Sequence, residues 1–388
     1  MAPVRQPNLN NQTPDLSILN HFANLKDPRR RHRRRHDLQD IIVIALCAVI
    51  ANAQDWHQIV AFGRHRVDWL KGFLALSNGI PSHDTFERVF DRLDPQAFQA
   101  CFRAWVEAVS VELKIKHIAI DGKTLRGSGS AKLGPLHLVS AWATAQHLSL
   151  GQVAVDSKSN EITAIPALLE LLDLNGALVT IDAMGCQKEI ARKIIDRGGH
   201  YALTLKGNQE HLLEDVQAIL GRAIENDFAG LEHDTYTTRE RGHGRQEYRN
   251  YVVIHTTAGI RHLAEWAGLT TIGMCVSERM INGKTESEVR YFIGSKKASA
   301  RTYGRALRNH WGIENNLHWQ LDVTFGEDQN RVQRRHGAEN LALLRRLTVS
   351  LLKAHPGKMS LAIKRYMASL DCDFLEEILA ADGILEKR

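Results

Sequence analysis

Two stretches of this chain end a short apolar, β-prone run on a carboxylate, and together they restrict the fold more than any other feature. In Lys116-His-Ile-Ala-Ile-Asp-Gly-Lys-Thr-Leu-Arg126 the run Ile118–Ile120 stops at Asp121, and Gly122 then opens a basic, hydroxyl-bearing turn with Lys123, Thr124 and Arg126. In Leu178-Val-Thr-Ile-Asp-Ala-Met-Gly-Cys-Gln187 the run stops at Asp182 before a small-residue turn. Two strands that each deliver an Asp at the carboxyl end predict two acids converging at one sheet edge. Hard divalent cations such as Mg²⁺ take oxygen ligands, so such a pair suits one. Taken singly, either Asp is equally a turn former or a helix N-cap.

Around these stretches the period of the apolar residues divides the chain. Residues 1–15 are polar and rich in Pro, Asn and Gln, and are expected to be disordered. Residues 16–114 carry helical spacings throughout. They predict helices from Asp15 to Leu25 (Asp15 as cap), Leu38 to Asn52, Trp56 to Phe73, Pro81 onward, and Asp94 to Leu113. Such a helical domain commonly presents a helix to DNA. From 115 to 226 the pattern turns to three strands (Ile118–Ile120, Leu136–Ala145, Gln152–Val155) and then β-α units. A helix over Thr163–Leu174 with Pro166 in its first turn, a strand over Leu178–Ile181 and a helix closed by Gly198-Gly199 are expected here. Residues 227–298 break that rhythm with β-branched runs and the hairpin signal Ile281-Asn-Gly-Lys284, a small β-rich insertion. Residues 299–380 return to helix. The fold class expected is α/β, a mixed sheet with helices on both faces.

Composition adds two constraints. The Cys residues are scattered without a C-x-x-C pair, which disfavours a disulfide framework or zinc knuckle and fits a reducing cytoplasm. The longest apolar run, Ile41 to Ala53, is too short to span a bilayer, so a soluble chain with no membrane partner is expected. The formal net charge of +6 is concentrated in residues 26–36, where seven Lys/Arg oppose one Asp and the rest of the chain balances to about zero. That run, with Arg29, Arg30, Arg31, Arg33, Arg34 and Arg35, is a phosphate-seeking element, because each neutralised phosphate releases a counterion. A second excess between Arg301 and Arg365, including Arg331, Arg334, Arg335, Arg345, Arg346 and Lys364, suggests a polyanion wrapped across the protein.

A third acid lies in the returning helix, expected from about Ala300 through Trp319. Ile313, Leu317 and Leu321 fall at i, i+4 and i+8 and predict its buried stripe, while His310, Glu314 and His318 share a neighbouring one. Beside two aspartates, Glu314 is the missing oxygen ligand for a two-metal site, with Asp322, Glu327 and Asp328 as rival acids.

The stretches Ile120-Asp-Gly-Lys-Thr, Thr180-Ile-Asp-Ala-Met-Gly-Cys-Gln, Leu203-Thr-Leu-Lys-Gly-Asn-Gln and His310-Trp-Gly-Ile-Glu-Asn-Asn-Leu-His-Trp resemble the DDE-type insertion-sequence transposases, most closely the H-repeat-associated branch. The resemblance runs from about Leu16 to Leu379. It implies a ribonuclease-H-like core interrupted by a β-rich insertion before the glutamate helix. It also implies Asp121, Asp182 and Glu314 as catalytic acids holding Mg²⁺, with Mn²⁺ as a substitute. Cleavage and strand transfer of double-stranded DNA, on element ends and target, would follow in a DNA-bridged homodimer in the bacterial cytoplasm. A nuclease that cuts without joining, and an inactive DNA-binding relic, are the alternatives. The chain departs from the pattern of related transposases, which often place a Tyr and an Arg before the Glu and a Lys after it. The matching positions are Leu307, His310 and Leu321. Arg308, His310, His318 and Lys206 are the candidates to hold the flanking phosphate, and Lys123, Arg126 and Lys206 to neutralise the scissile strand.

Replacing Arg33, Arg34 and Arg35 with Gln is expected to weaken DNA binding and to flatten its salt dependence by about 0.9 in log–log slope for each phosphate no longer neutralised. Equilibrium binding across a salt series measures this, and an unchanged slope would make the run a bystander.

Overall fold

The computed structural model describes residues 18–113, 115–129, 134–155, 160–242, 244–281 and 284–380. The expected disordered segment 1–15, the Asp15 cap and the Asn282-Gly283 turn lie outside the described residues.

Among the described residues six α-helices come first: α1 (Ile18–Phe22), α2 (Leu38–Ile50), α3 (Trp56–His65), α4 (Val67–Leu70), α5 (His83–Phe90) and α6 (Pro95–Leu113). Helix α2 is apolar on every side and buried along nearly its whole length, as such a helix must be. Asp37 caps it, accepting a hydrogen bond from the Gln39 backbone N–H at 2.8 Å. The single helix expected over Trp56–Phe73 is broken at Arg66, whose backbone leaves helical geometry. The Arg66 guanidinium instead donates to the carbonyls of Ser369 and Leu370, at 2.9 and 3.0 Å.

Among the described residues that follow, nine strands form a mixed sheet in the order β3-β2-β1-β4-β5-β9-β8-β7-β6. Its strands are β1 (His117–Leu125), β2 (Leu136–Ala143), β3 (Leu148–Ala154), β4 (Leu178–Ile181), β5 (His200–Leu205), β6 (His233–Gly242), β7 (Arg245–Ile254), β8 (Thr271–Ile281) and β9 (Lys284–Gly294). Strands β1, β4 and β5 are mutually parallel, and the other pairings are antiparallel. The β-rich stretch is a continuation of the sheet: β9 hydrogen-bonds β5 over Ala202–Leu205. Helices α7 (Glu161–Glu170), α8 (Lys188–Asp196) and α9 (Glu210–Glu225) follow β3, β4 and β5. Asn160 caps α7, so Pro166 lies at its sixth position, beyond the first turn. Gly198 takes positive φ and closes α8, its N–H bonding the Ile195 carbonyl, as the Gly-Gly pair predicts.

Helix α10 (Ala300–His310) packs on β4, β5, β7, β8 and β9 through Tyr303 and Ala306. Helices α11 (Gly337–Ala354), α12 (Leu361–Leu370) and α13 (Cys372–Ala380) complete the chain. One buried cluster runs from Phe22 in α1 to Leu379 in α13, so the opening and closing helices share a core. This core takes in part of the second basic region. Arg345, Arg346 and Lys364 are buried, with Lys364 Nζ donating to the carbonyls of Leu352 and His355 at the end of α11. Arg331, Arg334 and Arg335 remain exposed. Three of the six cations named above as wrapping a polyanion, Arg345, Arg346 and Lys364, are therefore structural. Among the described residues no helix is long and apolar enough to cross a membrane.

Gly294 lies where β9 meets α10, and a Cβ there would fall inside the Tyr303 ring. Tyr303 is fully buried, and its hydroxyl donates to the Lys296 carbonyl at 2.6 Å, so it cannot step aside without losing that bond. Gly294→Ala is expected to destabilise by about 1–3 kcal/mol, seen as a lowered urea midpoint. An unchanged midpoint would show that α10 shifts freely.

Candidate active site

Strands β1 and β4 run parallel in the register Ala119↔Thr180 and Ile120↔Ile181, so Asp121 and Asp182 occupy corresponding positions beyond it. Only β4 ends there. β1 continues through Asp121 to Leu125 because β2 still pairs with it, from Asp121↔Ser140 to Leu125↔Leu136. Lys123 and Thr124 therefore belong to a strand rather than to the expected turn. The Asp121 carboxylate is 20% exposed and accepts from the Gly122 N–H at 2.9 Å, while the exposed Asp182 accepts from Gly185 N–H at 3.2 Å.

The third acid is reached by a different winding from the one expected. After α10 ends at His310, residues Glu314–His318 and Gln320–Thr324 are π-helical. Such turns are rare and recur at functional sites. Ile313, Leu317 and Leu321 are fully buried as predicted. Glu314 is exposed, whereas His318 turns inward and its Nδ1 lies 3.4 Å from Asp121 Oδ2. His310 Nδ1 meets Thr180 Oγ1 at 3.1 Å, and the same hydroxyl meets His117 Nε2 at 2.9 Å. His117 and Thr180 were not singled out from the sequence. Alternation along the two runs was the available signal, since it puts both on the face of the sheet that carries Asp121.

Burial raises the Asp121 carboxyl to about 7, and the nearby charges of Glu314, Asp182 and Glu161 push the same way against the Gly122 N–H. Burial lowers His318 to about 3, with Arg346, Lys123 and other cations adding to the shift. The His318–Asp121 contact is therefore not an ion pair near neutral pH. Burial likewise holds His117 at about 3 and His310 at about 4, the latter opposed by Asp182.

The donor chemistry fits a hard cation: the Asp121 carboxylate feels the charges of Glu314 and Asp182, and a cation would relieve that repulsion. Their spacing is wider than a bound ion requires. Among the described residues no three Asp, Glu, His or Cys side chains are grouped closely enough to hold a metal ion. The rival acids are otherwise engaged, Asp322 and Asp328 by Lys123 and Glu327 by both Lys123 and Arg346.

The basic residues separate by environment. Arg29 is 8% exposed and bound to Asp27 and the His36 carbonyl, and Arg34 donates to the Arg29 and Asp27 carbonyls. Arg30, Arg31 and Arg35 are exposed, and the Arg33 side chain lies outside those described. Lys206 is exposed, Arg126 is 82% exposed beside Asp328, and Arg308 pairs with Glu240 at 3.0 Å. Lys123, expected to face a DNA strand, is 7% exposed and surrounded by carboxylates.

A fold that aligns two strand-borne aspartates under a glutamate-bearing helix has a counterpart in known sequences. The family described as "Transposase DDE domain" matches residues 112–352, and its "DDE_Tnp_1-associated" companion matches 19–106. The chain belongs to the DDE transposase family. Within it the chain falls in the H-repeat-associated branch. It is 38% identical over 380 residues to the "H repeat-associated putative transposase YhhI" of Escherichia coli (strain K12), covering 95% of this chain and 98% of the relative. It is 39% identical over 376 residues to the "Putative transposase YncI" of Escherichia coli O157:H7, with 94% and 95% covered. A solved piggyBac transposase synaptic complex with hairpin DNA aligns over 95% of this chain and 82% of that one, at 11% identity and a TM-score of 0.42. A likeness that remote carries no argument.

His117 gives a pH dependence of defined sign. Its imidazole stays neutral in the fold down to about pH 3 but protonates near 6.5 when unfolded. The unfolded state thus binds more protons between these values, and stability falls as pH drops through that window. His117→Gln should flatten the decline in thermal midpoint between pH 7 and 4. Parallel curves for the variant and the parent would exonerate His117.

Proposed function

We propose that this chain is the DNA transposase of its element, binding the element ends and cutting and joining DNA at a site built from Asp121, Asp182 and Glu314. The observation that carries the reading is the seam where β4 ends and β1 continues: it brings Asp121 and Asp182 side by side, within electrostatic reach of Glu314. The mixed sheet with its antiparallel β2 and flanking helices supports a ribonuclease-H-like core, with β6–β9 as the insertion before the glutamate.

The three carboxylates would hold divalent cations, Mg²⁺ or Mn²⁺, which when bound activate an attacking oxygen and stabilise the leaving one. The chain's own groups prepare that site. The neutral His318 imidazole orients Asp121 Oδ2, and Thr180 fixes His310 and His117 behind it. Arg126 and Lys206 stand exposed at the rim to meet phosphates, and Arg308 could join them by leaving Glu240. Arg30, Arg31 and Arg35, which stand exposed, would grip the element end, with Arg33 adding its charge to the run, while Arg29 and Arg34 shape that arm. Since water or a DNA 3′-hydroxyl attacks directly, no Ser or Tyr nucleophile is needed. Cutting two ends together calls for a homodimer on DNA, in the bacterial cytoplasm.

A second reading, a DNA-binding protein without activity, is favoured by the wide spacing of the acids. Cleavage of DNA bearing the element ends, in Mg²⁺ or Mn²⁺, separates the two. Asp121→Asn and Asp182→Ala should each lower cleavage by more than about 100-fold, beyond the usual effect of an outer-shell change, with end binding retained. Cleavage without joined products would leave a nuclease. Binding without cleavage by the parent protein would favour the inactive reading.

A further inference from the structure

We infer that Lys123 is a positioning residue, whose ammonium fastens the π-wound segment carrying Glu314 to the strand carrying Asp121. This rests on the catalytic reading above for its consequence, but the fastening itself stands on geometry. Lys123 follows Asp121 by two residues, so both side chains leave the same face of β1. Its Nζ lies 2.7 Å from Asp322 Oδ1, 3.2 Å from Asp328 Oδ1 and 3.6 Å from Glu327 Oε2. Asp322 belongs to the second π segment, and Glu327 and Asp328 to the 3₁₀ turn Glu327–Gln329 that follows it.

The junction is closed from three further directions. The Arg126 backbone N–H donates to Asp328 Oδ1 at 3.2 Å. Arg346 of α11 reaches Glu327 Oε1 at 3.3 Å and Ser140 Oγ at 3.2 Å, and Ser140 is the β2 residue opposite Asp121. Gly127 packs so closely that a Cβ would strike the Asn330 carbonyl, and the Gln333 amide donates to the Gly127 carbonyl at 3.3 Å. Residues 121–127 are thus a seat for residues 322–333.

The charges explain why a lysine stands at its centre. Asp322, Glu327 and Asp328 face Lys123, Arg126 and Arg346, an even balance in a half-buried junction. A compact ammonium with three donors can serve three separate carboxylates, which a planar guanidinium fork does less well. Removing it leaves Asp322 without a counter-charge, with Asp328 and Glu327 held only by Arg126 and Arg346, an imbalance that a partly buried site does not tolerate without moving. An ammonium so enclosed has no charge left over for a phosphate.

The test compares the full-length chain with Lys123→Met by hydrogen exchange, by DNA binding across a salt series, and by the Mn²⁺ concentration for half-maximal cleavage. Exchange in residues 314–324 should quicken by about tenfold or more while β4 and β5 keep their protection. End binding and its salt slope should not change, and half-maximal cleavage should need more Mn²⁺. A salt slope lowered by about one, with exchange unaltered, would overturn the inference and make Lys123 a phosphate contact. If the parent protein cleaves nothing, the catalytic reading fails and the exchange result still decides the fastening. If Lys123→Met does not fold, Asp322→Asn replaces it, with the same local loosening expected. Unchanged protection of 314–324 in Asp322→Asn would refute the fastening.

Discussion

Everything at the site depends on β1 having two unequal neighbours. Its antiparallel pairing to β2 continues through Leu125, while its parallel pairing to β4 ends at Ile120. Were both partners to stop together, Asp121 would sit on a loose turn. One-sided pairing holds the backbone of Asp121 rigidly and leaves its side chain only 20% exposed. That partial burial is also the largest cause of the carboxyl's raised pKa, so geometry and electrostatics at this residue share one origin.

The distribution of positive charge shows a similar economy. Arg346 and Arg365 are almost completely buried, and each donates to specific oxygens: Arg346 to Glu327, Ser140 and the Ala342 carbonyl, its Nη2 having no partner among the described residues, and Arg365 to the carbonyls of Val49 and Thr324. Arg365 also stacks on Phe325. Both grip the end of the π-wound stretch, from α11 and α12. Guanidinium groups committed to buried oxygens in this way are not free to meet a phosphate. Count and sign alone therefore overstate how much of the second basic region could meet a polyanion.

What the sequence disclosed was local. The apolar runs before Asp121 and Asp182, the Gly198 helix stop and the Ile313–Leu317–Leu321 stripe each reflect near neighbours in the chain, and each stands where the pattern put it. The winding between His310 and Phe325 stayed hidden because α- and π-helical turns both keep every fourth residue near one face. Lys123 reads from the sequence as a group for the scissile strand because its partners lie about two hundred residues away, at Asp322, Glu327 and Asp328. The attachment of β9 to β5 is likewise a long-range pairing with no local signature. The hydroxyl of Thr180, bridging His117 and His310, depends on strand register, which periodicity does not set.

The pairing of β5 with β9 has a mechanical meaning. Ala202–Leu205 and Tyr291–Gly294 are neighbours in a ladder, so β6–β9 is welded to the strands that carry Asp121 and Asp182 by backbone hydrogen bonds rather than hung from them by linkers. The order β6-β7-β8-β9-β5-β4 thus leaves no linker between the far edge strand and the strand that ends at Asp182, only an unbroken ladder of backbone pairing.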